Sequence, residues 1–204
     1  MSFFDNPKNF GLAAIVIGAI SLIMGIVGIV NGALADPIAT GSVVASAGTL
    51  AFGALILGVG LPVYKGEESN KLNILGMFVR FVGLAIIVLG IFTGAGQIID
   101  DSLSAGIVYI VVQVVLGLVL MWIAGRIVDG SVDTLDKIIW IVLLVVFAIL
   151  TIFFLYGIIA PFLVDGYVLI DAVIAAIESL CYFILAAFLL VSVLSEDVKS
   201  AMGM

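Results

Sequence analysis

Residues 138–162 read IIWIVLLVVFAILTIFFLYGIIAPF, a run with no charged side chain. A helix of about 20 such residues crosses the hydrocarbon core of a bilayer. The run is apolar on every face, which excludes an amphipathic helix lying on a surface. It also lacks the alternation over about ten residues that a strand of a membrane barrel would show. A transmembrane helix is therefore expected here. Its small residues are few and its Ile, Leu, Val and Phe many, so it is expected to face lipid or a partner subunit.

Working outward, five more runs of the same kind appear at 11–34, 42–64, 72–97, 104–125 and 169–195. They account for the composition of the 204-residue chain, 65% hydrophobic and only 10% charged, against about 25% charged in soluble domains. The connections are short; the longest runs from Arg126 to Lys137. The expected fold class is all-α, a polytopic membrane helix bundle of six transmembrane helices forming one integral membrane domain over 1–204. The formal charge of −7 argues against nucleic acid as a partner. With one Cys and no His, neither an internal disulfide nor a Cys/His metal site is expected.

The basic residues orient the spans. Lys8, Lys65, Lys71, Arg126, Lys137 and Lys199 all lie at the termini or in the even-to-odd connections, and the other three connections contain no Lys or Arg. By the positive-inside rule both termini are expected in the cytoplasm of a cell-membrane protein. Trp122 and Trp140 would then be interfacial anchors near the cytoplasmic ends of helices four and five. Ala33-Leu34-Ala35 before Asp36 looks like a signal-peptide cleavage site, but the preceding apolar run exceeds the 7–15 residues usual for signal peptides (roughly). The first span is expected to be retained.

A shift of 62 positions lays Gly28-Ile29-Val30-Asn31-Gly32-Ala33 on Gly90-Ile91-Phe92-Thr93-Gly94-Ala95, and Gly157-Ile158-Ile159-Ala160-Pro161 is a weaker third copy. Each copy follows a Lys (Lys8, Lys71, Lys137) and ends one hairpin later. The chain thus reads as three tandem two-helix hairpins, 1–67, 68–130 and 131–204, related by an axis along the membrane normal. Asp36-Pro37-Ile38-Ala39-Thr40 after a Gly-rich first helix resembles the HdeD-like family of six-helix membrane proteins. So does Arg80-Phe81-Val82-Gly83-Leu84-Ala85-Ile86-Ile87-Val88-Leu89-Gly90-Ile91. The resemblance implies tandem hairpin repeats and a part in acid resistance. The Arg has no counterpart in repeats one and three, and the second repeat lacks the Pro.

Two charged residues lie inside the apolar spans, Arg80 and Glu178. Glu178 falls near the middle of the sixth helix, where an ionised carboxylate costs about 2.5–3.5 kcal/mol on insertion scales. One reading makes it a proton or cation site, with Ser179 and Gln113 as neighbours. The other makes it structural, either protonated and hydrogen-bonded across an interface or paired with Arg80. Arg80 could instead reach the cytoplasmic interface by extending along the helix.

The remaining acids suit helix starts. Asp36-Pro37 reads as an N-cap followed by Pro at the first helical position, and Asp101-Ser102 offers caps for the fourth helix. Asp165 and Asp171 flank the start of the sixth. Glu67, Glu68, Asp133 and Asp136 precede the odd helices, where the dipole favours carboxylates. The outer acids could also form a cation-attracting vestibule. Gly28, Gly32, Gly90 and Gly94 read as helix-packing positions of the small-xxx-small kind, and Cys181 as a packing residue.

No phosphate loop, nucleophile elbow or metal-ligand cluster is present, so no enzyme and no cofactor are expected. The expected function is a non-enzymatic multi-pass membrane protein, either a stress protein of the acid-resistance kind or an accessory packing subunit. Its partners would be the lipid bilayer and a second copy or another membrane protein. The alternative is a small ion or proton channel, or a solute transporter, using Glu178, Arg80 and Gln113. A transporter should converge polar groups on a hydrated cavity; a packing subunit should be dry inside.

Overall fold

The computed structural model describes residues 3–100, 102–129, 132–163 and 169–204. The chain is all-α, with α1 (Pro7–Leu34), α2 (Thr40–Lys65), α3 (Lys71–Ile99), α4 (Leu103–Val128), α5 (Thr134–Ile159), α6 (Leu169–Val193) and α7 (Glu196–Ala201). Short 3-10 turns cover Phe3–Asp5 and Ala160–Phe162, and no strand occurs among the described residues. Helices α1 to α6 are long and apolar enough to cross a membrane. The chain is a multi-pass membrane protein.

Helices α1, α3 and α5 begin ahead of their apolar runs because polar residues cap them there. Asn6 accepts from the Lys8 amide ahead of Pro7, where the missing proline N–H costs nothing. Asn70 accepts from Leu72 at the start of α3, and Glu68 accepts from the Asn70 amide. Asp133 and Asp136 form a reciprocal capping box that starts α5 at Thr134, four residues ahead of the apolar run. Helix α2 ends where Gly66 takes φ +79°, a conformation favouring glycine. The Gly66 and Glu67 amides then bond back to the carbonyls of Val63 and Pro62.

Asp36-Pro37 does not cap α2, contrary to the sequence reading. The helix opens at Thr40, and the Ala39 carbonyl accepts its first bond, from the Val43 amide. Asp36 and Pro37 occupy the connection, because the Ala39 amide folds back to the Gly32 carbonyl and delays the helix. Asp101 and Asp165, and the side chain of Asp171, lie outside the described residues.

The chain divides into two compact units. One holds residues 1–17, 60–76 and 126–204. In it α5 packs along α6, Phe154 stacks on Tyr182 at 5.1 Å, and Phe10 meets Phe188 at 4.9 Å. The Trp140 indole N–H donates to the Val193 carbonyl at 2.9 Å. Trp140 is thus buried in the α5–α6 seam and is no interfacial anchor, because its ring packs inward and its polar edge is satisfied by the end of α6. Val198 within α7 and Met202 just after it are fully buried, and Gly203 lies against Val132.

The other unit holds residues 18–59 and 77–125. Its seams are made by glycine. A Cβ on Gly25 would stand 2.7 Å from the Leu50 amide nitrogen, and one on Gly53 would stand 2.8 Å from the Gly18 carbonyl oxygen. Helices α1 and α2 therefore touch backbone to backbone. Helix α3 meets α4 in the same way, with Gly83 opposite the Gly117 carbonyl and Gly94 opposite that of Gly106. In lipid such close approach replaces the hydrophobic drive that water would supply. Helix α4 is the least covered span, with 11% of its apolar window buried against 22% for α5. Both present large exposed apolar faces.

Candidate functional site

Glu178 and Ser179 belong to the first unit, Arg80 and Gln113 to the second. Glu178 is half-buried on α6, with no hydrogen bond or ion pair among the described residues. Its neighbour Ser179 is turned to α5: a Cβ on Gly157 would stand 2.8 Å from the Ser179 hydroxyl oxygen. The glycine of the third repeat copy thus makes room for Ser179. The hydroxyl serves the α5–α6 seam and does not join the carboxyl in a shared site.

In the second unit, Gln113 packs its Cβ and Cγ into the notch left by Gly90. Arg80 is exposed, ten residues earlier on α3, or about 15 Å along the helix axis. Gln113 and Arg80 therefore stand at different levels and share no site. Gly28 faces Ser46, Gly32 faces the Val43 side chain, and Gly94 faces Ile110. All four glycines singled out by sequence lie in helix seams where a methyl group would collide.

The densest polar cluster is one that sequence reading missed. Arg126, in the last turn of α4, is held by three carboxylates. Its Nη2 lies 2.7 Å from Asp133 Oδ2 and 3.0 Å from Asp136 Oδ1, and its Nη1 lies 3.3 Å from Asp129 Oδ2. Asp136 has no exposed side-chain surface, and its Oδ2 also accepts from the Asp133 amide at 2.9 Å. The bond from the Asp136 backbone N–H, with that from Arg126, holds the Asp133 carboxyl below the usual carboxylate range. Arg126 reads in sequence as a topology marker and the acids as caps. The available signal was Arg126 followed by Asp129, Asp133 and Asp136, spaced to fold a short connection back on one guanidinium.

Two open grooves lie elsewhere. One of about 560 Å³ is lined by Gln97, Ser104, Val108 and Tyr109, among others. The other, about 630 Å³, runs between Asn70 and Leu72 on one side and Glu196, Asp197 and Ser200 on the other. Neither is lined by Glu178 or Arg80. Among the described residues, the buried polar side chains are Ser21, Asp136 and Ser192. Ser192 bonds to the carbonyl of its own helix at Phe188, and Asp136 belongs to the Arg126 clamp. Comparison with protein-family models, with curated proteins and with solved structures found no match.

Proposed function

We propose that the chain is a non-enzymatic packing subunit of the membrane, with both termini in the cytoplasm of a cell-membrane protein and its bare apolar faces turned to lipid or a partner. One observation carries this reading: among the described residues only Ser21, Asp136 and Ser192 are buried polar side chains, and Asp136 and Ser192 are held in structural bonds. A conduction path needs convergent polar groups to strip water from its cargo. Glycine seams, apolar cores and exposed Ile, Leu and Val on α4 and α5 support a helix pack whose surface, and not its interior, does the work. The resemblance to the HdeD-like family fits a stress role of this kind.

A second reading, a small proton or cation transporter, is favoured by Glu178, which is half-buried in an apolar span with no hydrogen-bond or ion-pair partner among the described residues. Purified full-length chain in sealed vesicles, loaded with a pH-sensitive dye and given a potassium-diffusion potential, separates the two. The packing reading expects proton and potassium leak equal to that of empty vesicles. A leak that Glu178→Leu abolishes would establish the transporter instead.

A further inference from the structure

Arg80 poses a problem that its own unit does not solve. A guanidinium carries a full positive charge, and a charge facing hydrocarbon is costly. Arg80 is exposed on an apolar helix and has no carboxylate partner among the described residues. A carboxyl so placed can take up a proton. An arginine must find an anion.

The seam between α3 and α4 fixes the level at which Arg80 stands. Gly94 meets Ile110, Gly90 meets Gln113, Ile87 meets Gly117, and Gly83 meets Leu120 and Met121. The pairs step along the two helices in antiparallel register. Continued one turn beyond Gly83, the register brings Arg80 level with Ile123, one residue along α4 from Trp122. Trp122 is 52% exposed, and tryptophan is enriched at the level of lipid headgroups. An arginine at that level extends its stem over apolar surface and sets its fork among phosphates, which it binds with two parallel donors.

We propose that the α3–α4 seam at Arg80 and Trp122 is a binding site for the phosphate headgroup of a membrane phospholipid. Arg80 supplies the charge and Trp122 sets the depth. The proposal rests on the chain's spanning a membrane, and it stands whether the packing or the transport reading holds.

The test uses the full chain in maltoside micelles, titrated with phosphatidylglycerol whose acyl chains carry bromine, with tryptophan fluorescence as the readout. Bromine quenches an exposed indole that it touches, so Trp122 reports binding. Arg80→Gln is expected to raise the concentration for half-quenching about tenfold, and Arg80→Lys by less, since it keeps the charge but loses the fork. Brominated diacylglycerol, which lacks the phosphate, should quench both proteins equally and weakly. Equal titration of wild type and Arg80→Gln by the phospholipid would overturn the proposal, as would diacylglycerol matching phosphatidylglycerol on the wild type. Competition by millimolar inorganic phosphate would overturn the lipid as its source. Circular dichroism shows whether each variant is folded, and Arg80→Lys decides if Arg80→Gln is not. Failure of the chain to float with vesicles would instead overturn the membrane reading, a result distinct from all of these.

Discussion

Arg126 and Asp136 form a 3.0 Å ion pair across the α4–α5 connection, and the Asp136 carboxylate has no exposed surface. A covered carboxylate is tolerated because a guanidinium and the Asp133 amide satisfy it. The pair fixes how α5 starts, since Asp136 also completes the capping box. Removing either partner therefore affects helix initiation and charge balance together.

Asp136→Asn keeps the shape but takes the fully covered carboxylate from Arg126, leaving Asp129 and Asp133, and replaces an acceptor oxygen by a donor. It should lower the melting temperature by roughly 5 °C, with Asp129→Asn lowering it by clearly less. A thermal melt followed by circular dichroism in detergent makes the comparison. Equal effects of the two substitutions would mean that the clamp does not centre on Asp136.

The bonds to Asp133 also predict a pH response. Its carboxyl is held below the usual range by the Asp136 amide and by Arg126. Its contribution to stability is thus complete above the unfolded value of about 3.9 and fades as pH falls through the lower folded value. The melting temperature of the wild type should fall more between about pH 5 and pH 3 than that of Asp133→Asn, which has no such proton to take up. Parallel curves for the two proteins would contradict this.

Trp140→Phe removes the donor to the Val193 carbonyl at the end of α6. The expected cost is about 1 kcal/mol, measured by denaturant titration. Fluorescence should divide accordingly. The signal lost in Trp140→Phe is the one shielded from brominated lipid, and the signal lost in Trp122→Phe is the quenched one.

Glycine substitutions should sort by seam. Gly25→Val drives a branched side chain into the Leu50 backbone, and Gly94→Val drives one into the Gly106 carbonyl. Each should lower the melting temperature by several degrees or prevent folding. A Cβ on Gly125 would meet nothing within 4 Å, so Gly125→Ala should be neutral or stabilise by up to about 1 kcal/mol through helix propensity alone. Melts of the three variants check the order.

The six spans were legible in sequence because bilayer thickness and backbone hydrogen bonding prescribe them residue by residue. Runs such as 138–162 admit one reading, and the helix ends moved by at most four residues, with α5 giving way to a 3-10 turn after Ile159. The GxxxG positions were legible for a similar reason, since close approach of two backbones requires the absence of a Cβ. Arg80 and Glu178 stood out because charge in an apolar run is costly wherever it lies.

What each charge and each tryptophan faces depends on which residues of distant segments come together, and no local pattern carries that. Trp122 and Trp140 look alike in sequence, yet one is exposed and the other is buried against Val193. Asp36-Pro37 has the form of a cap but lies in a connection, because the Ala39 amide bonds back to Gly32. Gln113 reads as a polar site residue and fills a glycine notch. Arg126 reads as an orientation signal and gathers three carboxylates. Hydropathy is a property of single residues against their solvent, so it is written along the chain. Pairing is a property of register between helices, and it exists only once they have packed.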